Sequence, residues 1–416
     1  MRIRKLTAQV ERELLGARAQ RDSEAQRVAA RIIGDVRQRG DTALEHWARK
    51  LDGAELRRDG FWIGEPELRA ALASVSAQFR RAAEHAARNI RAVARQQLPR
   101  AWSMEVEQGV KISQLVRPIE AVGCYIPGGR FALISTLLMT VVPAKLAGVK
   151  RVVVVCPKPN AEVLAAAQLL GVNEVARIGG AQAIAALAYG TKLMPRVDKI
   201  FGPGNKFVTA AKQLVSGDCA IDLPAGPTEA VVLAADGEAQ FIAADLLAQA
   251  EHAPDAGSFL VTTSRRLAER VQKAVTERLA ALPADNPARV SIEKSGAILL
   301  APSLRSACEF VNRFAPEHLS LPEGGALLKR VVAAGTVFVG PLGAQALGDY
   351  ASGSNHVLPT GGRARARAGL SAADFVKCIS VQTISRRGFA GLAEDVITLA
   401  NAEGLAAHAA SVRVRQ

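Results

Sequence analysis

The sequence has few cysteines, and their spacing excludes two common uses of thiols. There are five among 416 residues: Cys124, Cys156, Cys219, Cys308 and Cys378. An odd number of widely scattered thiols argues against both a disulfide framework and a zinc site built from thiolates. Only Cys124, which lies beside a Gly-rich turn, is a candidate nucleophile.

Long apolar segments are also absent. No apolar run approaches the ~20 residues that a membrane-spanning helix needs, and the opening MRIRKLTAQVEREL has a charged helical pattern unlike a signal peptide. Hydrophobic residues make up 49% and charged residues 22% of the chain, which is typical of a globular protein with two or three domains. We therefore expect a cytoplasmic protein without a membrane partner.

Acidic residues are outnumbered by basic ones. Lys and Arg total 53 and Asp and Glu total 39, so the net charge is +14. An excess of this size suits a polyanionic partner, but the arginines are spread along helical faces such as 69–100 without the interleaved aromatic residues of a single-strand binder. We expect a solvated Arg-rich surface that helps to attract an anionic cofactor, and no nucleic-acid partner.

The apolar periodicity changes once along the chain. Residues 1–20, 22–51 and 65–98 have helical spacing. From residue 110, short β-branched runs alternate with Ala-rich helical segments, which is typical of parallel sheets covered by helices. We predict an α/β fold with two doubly wound, Rossmann-like parallel sheets, an N-terminal helical segment and, in 371–416, a small tail of two helices.

The predicted elements after residue 110 fall into two groups, separated by a Pro- and Gly-rich joint at 222–227. The strands are predicted at 119–125, 151–156, 174–178, 199–201, 229–234, 258–263, 296–301 and 336–339. The helices are predicted at 131–147, 160–171, 181–190, 204–216, 238–252, 264–282, 303–313 and 324–334. Residues 340–370 have no periodicity, and a loop of that length in a compact protein is usually functional.

Three strand-to-helix junctions in the first group are rich in glycine: 125–129, 179–182 and 202–205. Glycine at the carboxyl end of a parallel strand lets a phosphate or ribose approach the backbone and the start of the next helix. None of the junctions matches G-x-G-x-x-G, and tight turns alone explain each of them equally well. Together they indicate a dinucleotide site without establishing one.

The end of the helix predicted at 238–252 carries an amide on its apolar face. At 3.6 residues per turn, Gln249 lies about 20° from Ile242, whereas Glu251 lies on the opposite side. His252 follows, and Pro254 ends the helix. These residues suit a hydrogen-bonded core amide and a histidine that complements the helix dipole, or two members of a site.

Histidine is scarce as well, and four of the six histidines stand in polar, Gly- or Pro-flanked surroundings: His252, His318, His356 and His408. Imidazoles combined with Asp and Glu suit a zinc-type divalent site or acid–base chemistry near neutral pH. The neighbours Glu317 and His318 add a carboxylate that can activate water and an imidazole that can accept a hydroxyl proton. Each histidine alone is more often structural.

Seven longer motifs between residues 115 and 408 resemble the histidinol dehydrogenase family. In chain order they are YIPGG, GGAQAIAALAYG, VDKIFGPGN, DLPAGPTE, QAEH, APEHL and GDYASGSNHVLPTGG. The resemblance implies the oxidation of L-histidinol to L-histidine through the aldehyde, with two NAD and one Zn²⁺ per site, in a homodimer whose subunits share the active site.

The resemblance also implies roles for individual residues. The zinc ligands would be Gln249, His252, Asp349 and His408, with His408 supplied by the partner subunit. His318 would act as the base and Glu317 would activate water. The substrate would contact Thr228, His356 and Glu403 as well as His318 and the zinc ligands, and NAD would contact Tyr125, Gln182 and Asn205. The domains would be 1–21, 22–124 plus 230–370 (catalytic), 125–229 (NAD-binding) and 371–416 (dimer docking).

The sequence departs from the family pattern at two places. Thr228 stands where the family usually has serine, and residues 341–347, PLGAQAL, lack the glutamate often found before GDY. The alternative interpretation is therefore a paralogous NAD-linked dehydrogenase of another polyol or amino alcohol on the same scaffold. Glu403 and His356 favour histidinol.

Overall fold

The structure, a computed structural model, describes residues 1–18, 22–128 and 133–416. Its strands are β1 (Arg2–Lys5), β2 (Trp102–Glu107), β3 (Val110–Pro118), β4 (Ala121–Tyr125), β5 (Arg151–Val155), β6 (Glu174–Ala176), β7 (Lys199–Phe201), β8 (Ala220–Ile221), β9 (Glu229–Leu233), β10 (Gly257–Thr262), β11 (Gly296–Leu300), β12 (His318–Leu321), β13 (Thr336–Val339) and β14 (Val376–Ile384). Parts of the predicted N-terminal segment, of the junction at 125–129 and of the helix predicted from 131 lie outside the described residues.

The α-helices complete the element order. They are α1 (Ala8–Ala17), α2 (Ser23–Arg39), α3 (Asp41–Trp47), α4 (Leu56–Asp59), α5 (Glu65–Ser74), α6 (Ala77–Gln97), α7 (Ile134–Leu146), α8 (Ala161–Leu169), α9 (Gly180–Tyr189), α10 (Lys206–Val215), α11 (Ala239–Ala250), α12 (Arg265–Ala281), α13 (Ala288–Ser295), α14 (Leu304–Phe314), α15 (Gln345–Tyr350), α16 (Arg386–Ala402) and α17 (Ala406–Arg413). A π-helical turn at Ala48–Asp52 and 3₁₀ turns at Gly325–Arg330, Arg363–Arg365 and Ala372–Phe375 connect them.

The first parallel sheet has five strands in the order β6-β5-β4-β7-β8. Its central strands are apolar along their length; in β5 every residue from Val152 to Val155 is buried. Strands covered by helices on both faces have this continuous apolar pattern, because neither face meets water. The predicted alternation of strands and helices in this half of the chain is confirmed.

The second parallel sheet has six strands in the order β1-β11-β10-β9-β12-β13. One core beneath it contains apolar residues of α11, α12 and α13, and the core on its other face contains those of α14. Two doubly wound parallel sheets were predicted, and the structure confirms them.

Some short strands of the structure were not predicted from the sequence, or were predicted to be helical. Residues Arg2–Lys5 form β1, paired with β11, rather than the start of a helix. β12 was not predicted, and the helix predicted at 324–334 is a 3₁₀ turn at Gly325–Arg330. Strands of four residues carry too little periodicity to recognise, and their pairing with distant segments decides their conformation.

A third, antiparallel sheet was also not predicted. It has the order β14-β3-β2, and β14 pairs along its whole length with β3. The predicted C-terminal helices are present as α16 and α17, but β14 precedes them. β14 is largely exposed in one chain, including its apolar residues Ile379 and Ile384.

The helices between residues 23 and 97 pack on the five-stranded sheet. Ile32 and Leu44 share a core with Ile184 on α9, and Leu68 shares another with Val163 on α8. The predicted boundaries assign 22–124 to the same domain as the six-stranded sheet, and that division stays a prediction.

A buried ion pair holds the turn after β7. Lys212 Nζ donates to the Gly202 carbonyl at 2.7 Å and to Asp222, and Asp222 Oδ2 accepts the Gly202 N–H at 2.7 Å. Gly202 has φ +108°, and a Cβ there would collide with the Tyr125 carbonyl, so only glycine fits the turn.

We expect Lys212→Met to lower the stability of the protein strongly. It would leave the Asp222 carboxylate buried without its cation, and breaking a buried pair in this way costs about 3–5 kcal/mol. The midpoint of thermal unfolding, followed by circular dichroism, measures the effect. The control is Lys273→Met, which removes an exposed pair with Glu277; equal midpoints for the two variants would contradict the assignment.

Candidate functional site

A cavity of about 2040 Å³ lies where the two parallel sheets approach each other. Gly202 and Asn205, which line it, follow β7 at the carboxyl edge of the five-stranded sheet. Thr228 and His318, which also line it, precede β9 and begin β12 at the amino edge of the six-stranded sheet. The site therefore lies between the carboxyl ends of the strands of the five-stranded sheet and the amino ends of the strands of the six-stranded sheet.

Glu317 is buried at this edge and its side chain is held by two donors. Its carboxylate accepts a hydrogen bond from the Thr228 hydroxyl and another, of 3.0 Å, from the Glu229 N–H. Burial raises the pKa of Glu317. Just before it, Ala315 has φ +47°, the one positive value for a non-glycine residue in the described ranges; this conformation ends α14 and turns the chain towards the cavity.

His318 lies between two carboxylates. Its Nδ1 is 3.8 Å from Glu317 Oε2, and its Nε2 is 3.5 Å from Asp349 Oδ1. Neither ring nitrogen has a hydrogen-bond partner among the described residues. Burial alone would lower the pKa of His318, but the two carboxylates outweigh it and raise the pKa. The imidazole is thus placed to accept a proton.

Asp349 and His356 close the cavity from the loop that was predicted to be functional. Asp349 lies on α15, and its pKa is lowered because the nearby His318 outweighs the effect of burial. His356 Nδ1 is 2.9 Å from the Asp349 carbonyl, and its Nε2 is 3.2 Å from Thr136 Oγ1. Burial lowers the pKa of His356, which favours the neutral imidazole.

Gln249 faces inward, as its helical position predicted. It is fully buried near the end of α11, where its Nε2 donates to Thr228 Oγ1 and its Oε1 accepts from Gln345 Nε2. The amide is therefore a hydrogen-bonded core group that lies behind Thr228, which lines the cavity. His252, just after the helix, is exposed and lines the cavity.

His408 and Glu403 are not brought to this cavity within one chain. Glu403 directly follows α16, His408 lies on α17, and both side chains are exposed. α17 packs on α16, which in turn packs on β14. Several large apolar side chains of this C-terminal segment are exposed, among them Leu399 and Val414.

Of the three residues predicted to contact NAD, the structure places Asn205 at the cavity. Asn205 caps α10 by accepting from the Phe207 and Val208 N–H groups. Tyr125 is buried, and its hydroxyl accepts the Gly180 N–H at 3.1 Å. Gln182 is fully buried and donates to Asp52 at 3.1 Å.

Cys124, the candidate nucleophile, is fully buried and does not line the cavity. Burial raises the pKa of its thiol to about 12. A thiol that stays protonated and out of contact with the cavity cannot attack a substrate carbonyl.

A buried ion pair that was not predicted from the sequence lies beside the site. Arg18 donates to Glu229, with one contact of 2.7 Å, and its guanidinium lies 3.7 Å from the centre of the Phe314 ring. Burial raises the pKa of Glu229 to about 7, although Arg18 opposes this. The signal that could have found it is a carboxylate opening the otherwise apolar strand EAVVL.

Two features are absent from residues 1–18, 22–128 and 133–416. No group of three or more His, Cys, Asp or Glu side chains there is arranged to hold a metal ion. No helix of that part of the chain is long and apolar enough to cross a bilayer.

The family profile and the related sequences that match this chain point to the same family. The profile of the histidinol dehydrogenase family matches residues 16–416. The histidinol dehydrogenase of Methanosarcina mazei is 45% identical over 92% of this chain and 90% of its own length. That of Xanthomonas campestris pv. campestris strain 8004 is 46% identical over 94% of this chain and 93% of its own length.

A solved structure agrees with these relatives. The crystal structure of histidinol dehydrogenase from Elizabethkingia anophelis has a TM-score of 0.94 and 36% identity, and the match covers 100% of this chain and 98% of that one. The chain belongs to the histidinol dehydrogenase family.

Proposed function

We propose that this enzyme oxidises L-histidinol to L-histidine through the aldehyde, using two NAD and one zinc ion per site. The observation that carries the proposal is the buried Glu317–His318 pair, which lies beside Asp349 in the wall of a cavity large enough for a substrate and a dinucleotide. Oxidation of an alcohol needs a base for the hydroxyl proton, and oxidation of the aldehyde needs an activated water. His318 supplies the base for the alcohol step, and Glu317 supplies the group that activates water for the aldehyde step.

His318 is suited to the first task because neither of its ring nitrogens is committed to a hydrogen bond. The carboxylates on either side stabilise the imidazolium that forms when it accepts a proton. Glu317 is suited to the second task, because burial makes its carboxylate more basic and the Thr228 hydroxyl and Glu229 N–H fix its orientation.

The side chains proposed to hold zinc are Gln249, His252, Asp349 and His408 of the partner subunit. An amide oxygen, two imidazoles and a carboxylate are donors that suit zinc, and His252 and Asp349 line the same cavity. Bound zinc would polarise the substrate oxygen as a Lewis acid. Gln249 Oε1 faces Gln345, so the amide would have to turn before this oxygen could face the cavity.

NAD is proposed to bind along the carboxyl edge of the five-stranded sheet, where it would accept a hydride in each step. The Gly-rich turn at 202–205 and the start of α10 line the cavity there, as a phosphate-binding edge requires. Tyr125 and Gln182 would act from behind this wall, Tyr125 by holding the Gly180 N–H.

We further propose a homodimer in which the C-terminal segment reaches the partner's cavity. His408 and Glu403 are exposed, and apolar side chains around them, such as Leu399, are left uncovered in one chain. Uncovered apolar surface of this kind is typical of an interface. We also propose a cytoplasmic location, which suits the free cysteines of the described chain.

Removal of metal tests the zinc site. We expect a sample dialysed against a strong chelator to lose histidinol-dependent NAD reduction, followed by absorbance at 340 nm, and to regain it with stoichiometric Zn²⁺. The control is addition of Mg²⁺, which prefers oxygen ligands and should restore little. Full activity in a rigorously metal-free sample would rule out the zinc.

Glu317→Gln tests the assignment of the two steps. The amide cannot activate water, so we expect oxidation of the aldehyde to fall by about 10²–10⁴-fold, with a smaller loss in oxidation of the alcohol. Separate assays starting from histidinol and from histidinal measure the two. Equal losses in both steps would remove the proposed role of Glu317.

Mixing two inactive variants tests the shared site. Measured as oxidation of histidinal, Glu317→Gln and His408→Asn should each be nearly inactive as homodimers. After unfolding and refolding together, half of the dimers are hybrids, and each hybrid has one site with both native residues. We expect recovery of about a quarter of native activity; no recovery would show that both residues act in the same chain.

A further inference from the structure

Two buried amide side chains face each other behind the cavity wall. Gln345 is 1% exposed and Gln249 is fully buried, and Gln345 Nε2 donates to Gln249 Oε1. The backbone of Gln345 also lies close to the carboxyl group of Asp245, which is one turn before Gln249 on α11. Gln345 therefore connects α11 to the start of α15, the helix that carries Asp349.

The hydrogen bonds around these amides run in one direction. A carboxylate oxygen can only accept, so the single proton of the Thr228 hydroxyl is committed to Glu317. The Thr228 oxygen then accepts from Gln249 Nε2, which leaves Gln249 Oε1 on the side of Gln345. The chain of donors is Gln345, Gln249, Thr228 and finally Glu317.

In this arrangement Gln249 presents Nε2, and not the metal-binding Oε1, towards the cavity. Thr228 lines the cavity and Gln345 does not, so the side of the amide nearer the cavity carries Nε2. An amide nitrogen has no free lone pair for a metal ion; only Oε1 can act as a ligand. Ligation by Gln249 therefore needs rotation of the amide by half a turn.

We propose that Gln345 is a positioning residue that permits this rotation and so sets the zinc affinity of the site, an inference that rests on the proposed zinc-dependent function. After rotation, Gln249 Nε2 points at Gln345, which must then offer an acceptor. Gln345 Oε1 is buried and has no hydrogen-bond partner in the described structure. By turning its own amide, Gln345 can donate to Gln249 in the metal-free protein and accept from it in the zinc-bound protein.

Because Gln345 can hydrogen-bond to Gln249 in both the metal-free and the zinc-bound arrangement, it lowers the affinity of the site for zinc. In the metal-free arrangement both polar atoms of the Gln249 amide have a hydrogen-bond partner, so this arrangement competes with the one that presents Oε1. A ligand that binds only one of two populated arrangements has its apparent affinity reduced by the fraction in the competent one. A residue at position 345 that only accepts would remove this competition.

The test is the zinc affinity of metal-free protein, measured by competition with a chromophoric chelator. We expect Gln345→Glu to bind Zn²⁺ at least about tenfold more tightly, because a carboxylate accepts from Gln249 Nε2 and cannot donate to Oε1. The matched control is Gln240→Glu, the same change at an exposed position on α11, which should leave the affinity unchanged.

A second variant separates this effect from the added charge and from any failure of Gln345→Glu to fold. In the metal-free arrangement Gln249 Nε2 donates to the Thr228 hydroxyl, and Thr228→Val removes this acceptor without adding a charge. The zinc-bound arrangement does not use that acceptor, so we expect Thr228→Val also to bind Zn²⁺ more tightly. Unchanged or weaker binding by Thr228→Val would overturn the inference while leaving the proposed function intact. Native protein that binds no zinc would overturn both.

Discussion

The pairing of β9 with β12 is the constraint on which the site depends. In this parallel register His318 lies opposite Ala230, so the residues just before the two strands become neighbours although they are far apart in sequence. Thr228 and the Glu229 N–H can then both reach the Glu317 carboxylate. A slip by one residue would turn His318 to the other face of the sheet and separate the carboxylate from its donors.

Both parallel sheets contribute to the cavity, with opposite edges. The five-stranded sheet uses its carboxyl edge, where ligands of open α/β sheets usually bind. The six-stranded sheet uses its amino edge, where α11 ends and brings Gln249 and His252 to the starts of β9 and β12. The end of an antiparallel helix therefore supplies side chains at an edge where parallel strands begin.

The sequence was sufficient for the two parallel sheets and for the inward position of Gln249, because both depend on local periodicity. It was insufficient for β1 and β12, which are four residues long and are held by pairing with distant strands. The ion pair of Arg18 with Glu229 was missed for the same reason, since 211 positions separate its members. The predicted ligands Gln249 and His408 came from family motifs, and no spacing within the chain relates them.

The two departures from the family pattern meet at one side chain. Thr228 and Gln345, the latter within the segment that lacks the usual glutamate, contact opposite ends of the Gln249 amide. Threonine keeps the hydroxyl that links Gln249 to Glu317, so the change from serine preserves the hydrogen bond. The Gln345 amide can donate as well as accept, and its donation to Gln249 Oε1 holds Gln249 in the observed orientation. The orientation of a single amide thus connects the group proposed to activate water with the group proposed to bind metal.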